Sequence, residues 1–300
     1  MSCLYDELAA HRDHKKDKRV FGLVLQGGGM RGVYSAAAFE PLAAYGFQDT
    51  FEHVIGSSAG AINGVYFMGS DPDSYRIYNE ELTNKNFVNL ARRDKKVDVD
   101  YAIDVALHQK NPVNIEHLLR AHTKLHIVMT NARTGKKEVI SDHHKFLQIY
   151  EELRASAALP LLYDKKITLG DTEYIDGAVS DSLPVDVAIK LGCSDIVVVM
   201  TQRMDSFNFD KRHARLVKHL IRRFAKKSSK AVRKILPTNE KVLQANLRRL
   251  THPSKKVRIY LLQPSDEQVL VSLATADRPK IEAFARLGVH DMDVFLHRPL

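Results

Sequence analysis

Apolar and polar positions fall into a regular alternation from residue 19 onward. Arg19 to Gln26 is short, apolar and bounded by a glycine run, the pattern of a strand buried on both faces. Gly27 to Gly32 then opens a small-residue helix reaching about Tyr45, with Gly46 placed as a left-handed cap and Pro41 expected to kink or shorten it. Phe51 to Ile55 reads as a second strand. After a Gly-Ser-Ser-Ala-Gly turn, a helix is expected from Ala59 to Met68. Strand, glycine loop, helix, strand, serine turn and helix in that order imply parallel strands joined by crossover helices. The expected fold is a three-layer α/β/α domain around a mainly parallel central sheet.

Asp71 to His122 is mostly helical and polar in pattern, broken at Pro72 and Pro112, with no legible chemistry. Leu125 to Thr130 is strand-like, and Lys136 to Ser141 returns after a turn. A helix over Phe146 to Ser156 precedes Ala157-Ala158-Leu159-Pro160. Lys166 to Leu169 and Thr172 to Ile175 form an expected hairpin across Gly170-Asp171. The second run delivers Asp176-Gly177-Ala178 at the carboxyl end of a strand, where open α/β sheets place functional groups. A helix over Pro184 to Leu191, strands over Asp195 to Thr201 and Arg258 to Gln263, and a last helix over Lys280 to Leu287 complete the pattern. The expected division is an N-terminal tail (1–18), a main domain (19–205) and a basic helix with a small, helical C-terminal extension (206–300).

Composition narrows the class. The first residues mix acids and bases and lack the apolar centre of a signal peptide, and no run approaches the ~20 apolar residues of a membrane span. Cys3 and Cys193 suit neither a disulfide framework nor a CxxC site, which fits a reducing compartment. A cytoplasmic protein is expected. The net charge of +9 is more than accounted for by one stretch, Lys211 to Lys234, which holds eleven Lys or Arg and no acid. Leu216, Val217, Leu220, Ile221 and Phe224 recur there at helical spacing, so a cationic amphipathic helix is expected. Arg222, Arg223, Lys226 and Lys227 would face an anionic inner membrane leaflet. A charged helix packed on its own domain is the bland alternative, and nucleic-acid binding lacks any accompanying motif.

Two glycine-rich motifs bear on chemistry. Gly56-Ser57-Ser58-Ala59-Gly60 between strand and helix has the form of a nucleophile elbow, with Ser58 as the nucleophile and Gly56 and Gly60 where a Cβ would collide. By itself the pentapeptide also fits a turn without chemistry. Gly27-x-Gly29-x-x-Gly32 matches a dinucleotide-binding fingerprint, but the acid expected at the end of the next strand is replaced by Ser57-Ser58. The same loop N–H groups, around Gly28 and Gly29, could bind the oxyanion of an acyl intermediate. Arg31 could face a phosphate or hydrogen-bond loop carbonyls. No histidine stands in a strand-end context as a base, which leaves Asp176 as the better candidate, although Asp-Gly is also a common turn. Metal-ligand spacing is absent, and no cofactor is expected.

Four motifs in order, Gly27 to Gly32, Gly56 to Gly60, Ala155-Ser156-Ala157-Ala158-Leu159-Pro160 and Asp176-Gly177-Ala178, resemble those of the patatin-like phospholipase family. The resemblance spans roughly residues 19 to 201; the last hundred residues resemble the C-terminal extension of some bacterial members. It implies a Ser58–Asp176 dyad without histidine or metal, an oxyanion hole in the loop Gly27, Gly28, Gly29, Met30, Arg31 and Gly32, and lipid acyl esters as substrates. Ala178 stands where many members have a second glycine, and Ser182 where asparagine is frequent. The expected function is hydrolysis of lipid acyl esters; a non-catalytic lipid binder on the same fold and a dinucleotide-binding enzyme are the alternatives.

Overall fold

The computed structural model describes residues 2–14, 17–69, 71, 73–141, 146–160, 162–207 and 230–300. Most of the basic stretch, including Arg222, Arg223, Lys226 and Lys227, lies outside them, and only its last residues, from Lys230, are described as helix.

In chain order, helix α1 (Leu4–Asp13) precedes strand β1 (Phe21–Leu25), α2 (Gly32–Ala37), α3 (Phe39–Ala44), β2 (His53–Ser57) and α4 (Ala59–Met68). Next come α5 (Arg76–Glu80), a π-helix (Tyr101–Lys110), α6 (Ile115–Arg120), β3 (Lys124–Asn131), β4 (Lys137–Ile140) and α7 (Phe146–Ala157). The hairpin β5 (Ile167–Leu169) and β6 (Thr172–Asp176) leads to α8 (Val185–Lys190), β7 (Asp195–Val199), α9 (Lys230–Thr251), β8 (Arg258–Leu262) and α10 (Arg278–His297). The sheet runs β5-β6-β3-β2-β1-β7-β8, with β4 also on β3. Strands β3, β2, β1, β7 and β8 are mutually parallel, while β4, β5 and β6 pair antiparallel.

Alternation along the strands divides the core. Leu23, Leu25, Val54, Ile127, Met129, Val197 and Val199 face one apolar layer, packed with residues of α1 to α7 and α10. Val24, Ile55, Val128, Ile196 and Val198 face the other, together with residues of α8 and α9. This is the expected three-layer arrangement, and both faces are buried as a parallel sheet requires.

Four expectations change in detail. The helix after the glycine loop is two helices, interrupted at Ala38, because Pro41 cannot donate to the carbonyl of Ala37 and its ring crowds that position. The N-terminal stretch read as a tail contains α1: Leu4 and Leu8 are fully buried, and Arg19 bonds Asp17 and Glu7, neutralising charges that looked solvated. The extension is not a separate helical piece, since the strand expected over Arg258 to Gln263 forms as β8 and continues the sheet beside β7. The last helix runs past Leu287 to His297. Gly288 is an interior contact point rather than a stop, because a Cβ there would collide with the Tyr34 carbonyl of α2.

Candidate active site

Ser58 sits between β2 and α4 with φ 57° and ψ −128°, the one non-glycine residue of positive φ among the described residues. Close packing on both sides produces the bend. A Cβ on Gly56 would lie 2.5 Å from the Gly60 carbonyl carbon and the Ala61 nitrogen, and one on Gly60 would collide with the Leu25 carbonyl. The Ser58 carbonyl accepts the N–H groups of Ala61 (2.9 Å) and Ile62 (3.3 Å), which starts α4 directly behind the side chain. Its own N–H donates to the Ser156 hydroxyl at 2.9 Å, and Ser156 donates onward to the Val128 carbonyl at 2.7 Å.

Asp176 reaches Ser58 by a route that strand order alone did not suggest. Asp176 closes β6 as expected, but β6 is antiparallel to β3, so the acid arrives at the carboxyl rim of the parallel strands from the opposite chain direction. Ser57 of β2 pairs with Val128 of β3, and the next residue, Met129, pairs with Asp176, so the carboxyl group reaches the serine across β3. Gly177 then turns the chain where a Cβ would collide with the Val128 carbonyl and approach the Ser57 Oγ to 2.7 Å. The Ser58 hydroxyl donates to Asp176 Oδ2 at 2.8 Å, and the Ala178 N–H holds Oδ1 at 2.7 Å. Ile175 and Val179 are buried in a small apolar cluster with Ala132. Burial pushes the Asp176 carboxyl up to about 7, against the opposing pull of the Ala178 N–H and the Ser58 hydroxyl. Ser57, by contrast, buries its hydroxyl without a hydrogen bond among the described residues.

The glycine loop passes directly against the serine, since a Cβ on Gly27 would meet the Ser58 Cβ at 3.2 Å. Most of its donors are already committed. Gly27 N–H bonds the Ser182 carbonyl (3.2 Å), Met30 N–H the Leu273 carbonyl (3.0 Å) and Arg31 N–H the Gly28 carbonyl (3.2 Å), while Gly32 N–H bonds back into the loop. Among the described residues only the N–H groups of Gly28 and Gly29 in this loop carry no hydrogen bond. Arg31 bonds Gln202 Oε1 at 2.5 Å and, more loosely, the Gly28 carbonyl at 3.4 Å.

Residues 23–189 match the sequence profile of the patatin-like phospholipase family. The chain belongs to that family. It is 26% identical over 187 residues to an uncharacterized protein, YjjU, of Escherichia coli, covering 60% of this chain and 51% of that one. It is 28% identical over 194 residues to the probable lipid hydrolase 463L of Invertebrate iridescent virus 6, covering 58% of this chain and 65% of the other. This chain thus spans half to two-thirds of the length of these curated relatives. In fold it is similar to VipD of Legionella pneumophila, with a TM-score of 0.50 at 15% identity over 93% of this chain and 67% of VipD.

The space in front of Ser58 is walled mainly by hydrocarbon. Ser58, Asp176 and the loop from Gly27 to Arg31 open into a cavity whose walls include Ile77, Leu82, Phe87, Val97, Val99 and Leu107. These come from the stretch read as polar and without chemistry. Its apolar residues point inward from short helices and loops, including a π-helix closed by the Asn111 N–H on the Ala106 carbonyl at 2.9 Å. No histidine lines the cavity among the described residues.

Sequence reading assigned no role to three supports of the site. Ser156 was visible only as part of a motif. Asn63 of α4 donates to the Gly32 carbonyl (2.8 Å) and to Ser35 (2.9 Å) and accepts from the buried Tyr78 hydroxyl (2.9 Å), tying the elbow helix to the glycine-loop helix. Leu273 bonds the loop through its carbonyl and lines the cavity, so the C-terminal segment completes the site.

Proposed function

We propose that the chain hydrolyses carboxylic esters of lipids, with Ser58 as nucleophile and Asp176 as the proton acceptor. The observation that carries this reading is the 2.8 Å hydrogen bond from Ser58 Oγ to a fully buried Asp176 carboxylate. An ordinary carboxylate is too weak a base for a serine hydroxyl, and a group raised to about 7 is far better matched to proton transfer near neutrality.

Asp176 Oδ2 takes the hydroxyl proton as Ser58 Oγ attacks the ester carbonyl. The Gly28 and Gly29 N–H groups donate to the developing oxyanion, and the α4 N-terminus favours negative charge at the same place. Asp176 returns the proton to the departing alkoxide, giving an acyl-Ser58. Water, deprotonated by Asp176, then attacks the acyl carbonyl, and Asp176 passes that proton to Ser58 Oγ as the acyl–oxygen bond breaks, releasing the fatty acid and restoring the dyad. Apolar cavity walls suit the acyl chain, and lipid esters are the substrates the family points to. No metal or cofactor enters the scheme.

Labelling with a fluorophosphonate tests it. Intact-mass analysis should show one adduct, at Ser58, abolished in Ser58→Ala, together with p-nitrophenyl butyrate turnover that disappears in both Ser58→Ala and Asp176→Asn. Normal turnover by Ser58→Ala would overturn the assignment, and unlabelled, inactive wild-type protein that still binds fatty acid would favour the non-catalytic lipid binder.

A further inference from the structure

Residues 84–98 form a hairpin-like loop with two different sides. Its stem is tied by the Asn89 N–H on the Lys96 carbonyl (2.8 Å), the Asp98 N–H on the Phe87 carbonyl (2.8 Å) and a bridge between Val88 and Val97. Phe87 and Val97 of that stem, with neighbouring Val99, line the cavity in front of Ser58. Its tip carries Leu90, which at 60% is the most exposed large hydrophobic residue described.

The loop holds five cations, and they divide by job. Arg92 turns inward, donating to the carbonyls of Lys85 and Asn86 (3.0 Å each) and pairing with Asp98, while Lys95 pairs with Asp98 and Asp100. These two brace the tip from beneath. Lys85, Arg93 and Lys96 make no ion pair among the described residues, and the one acid at the tip, Asp94, accepts the Lys95 backbone N–H. The loop therefore presents one bare leucine at its tip and three cations without an ion pair, Arg93 at the tip, Lys96 in the stem and Lys85 at its foot. A single exposed leucine is ordinary on a protein surface. One held out on a braced, cationic loop whose other side walls an apolar cavity matches the make-up of a bilayer interface, with hydrocarbon beneath anionic headgroups.

We propose that this loop is an interfacial docking element, with Leu90 entering the acyl-chain boundary of an anionic lipid surface and Lys85, Arg93 and Lys96 contacting its headgroups. The inference rests on the reading of the substrate as a membrane lipid, because docking here would set the cavity wall against the source of that lipid. It is independent of the basic stretch from Lys211 to Lys234, and the experiment must separate the two.

The absence of tryptophan from the chain makes that separation direct. In full-length Leu90→Trp, the introduced indole is the sole tryptophan and reports on this loop alone. With phosphatidylglycerol vesicles its emission should shift to the blue and be quenched by bromine on the acyl chains; with phosphatidylcholine vesicles it should change little. Replacing Lys85, Arg93 and Lys96 together by glutamine should weaken binding to the anionic vesicles by about 100-fold, at roughly tenfold or less per cation. Fluorophosphonate labelling and turnover of a soluble ester should be unaffected by either set of changes, so these readouts follow the assigned dyad and the vesicle readouts follow the loop. Protein that sediments with anionic vesicles while the indole emission stays unshifted would overturn the proposal and assign attachment to another surface. Failure to bind vesicles at all would also overturn it.

Discussion

Ser156 fixes the backbone of Ser58 from the far side of the elbow: its hydroxyl accepts the Ser58 N–H at 2.9 Å while donating to Val128 at 2.7 Å. The proposed nucleophile is thereby oriented through its own peptide by a helix, α7, that is distant in sequence. Ser156→Ala should leave a buried N–H and a buried carbonyl unpaired, costing about 1–3 kcal/mol in denaturant unfolding. It should also slow fluorophosphonate labelling. An unchanged labelling rate would reduce Ser156 to a purely structural contact.

The raised Asp176 carboxyl makes activity and stability depend on pH in opposite senses. As a base it must be ionised, so turnover of a soluble ester should rise with pH and level off above about 7. For stability, a carboxyl held above its unfolded value binds its proton more tightly in the folded state. Its contribution is full below about 4 and is lost as pH rises to about 7. Asp176→Asn should therefore be inactive yet more stable than wild type at pH 8, by up to a few kcal/mol, with the gain shrinking towards pH 4. Melting curves at the two pH values check the sign.

Backbone strain at Ser58 predicts a difference between two inactive variants. A side chain at φ 57°, ψ −128° is strained by about 1–3 kcal/mol, and glycine adopts such angles freely. Ser58→Gly should melt higher than Ser58→Ala. Equal melting temperatures would show that the elbow carries little strain.

Lys137 bridges Asp181 (2.8 Å) and Asp186 (2.6 Å), and Asp181 also accepts the side-chain amide of Asn246. This joins β4 and α9 to the loop that follows the proposed base. Burial holds the Asp181 carboxyl above the ordinary carboxylate range, with Lys137 opposing it. Lys137→Met should cost about 3–5 kcal/mol near neutral pH by stranding that carboxylate. The loss should diminish in acid, where Asp181 takes up a proton, and should be partly recovered by adding Asp181→Asn. Chemical unfolding at pH 5 and pH 8 would measure both effects.

What sequence made legible was the set of features that short-range sterics dictate. Gly56 and Gly60 flank Ser58 because two backbones meet there, and the apolar runs of β1, β2 and β7 reflect burial on both faces. What escaped depends on distant partners. The antiparallel path that brings Asp176 to Ser58 across β3 is set by pairing, which local pattern does not encode. Glu7 and Asp17 look like part of a tail until Arg19, at the start of the first apolar run, closes on them. The residues of the cavity wall lie scattered among polar neighbours in short elements, where no helical or strand period could emerge. The π-helix over Tyr101–Lys110 departs from the ordinary helical period altogether.

The bond between the Met30 N–H and the Leu273 carbonyl has a bearing on the order in which the protein is made. The glycine loop, just after β1, is made well before the carbonyl that holds it, which belongs to the segment between β8 and α10. β1 likewise waits for β7, its neighbour on one side, to be synthesised. Until the C-terminal segment emerges, the serine elbow exists without a clamped loop beside it. A nascent chain would thus carry Ser58 before the glycine loop beside it was clamped, and the proposed esterase site would be complete only once synthesis had passed residue 273.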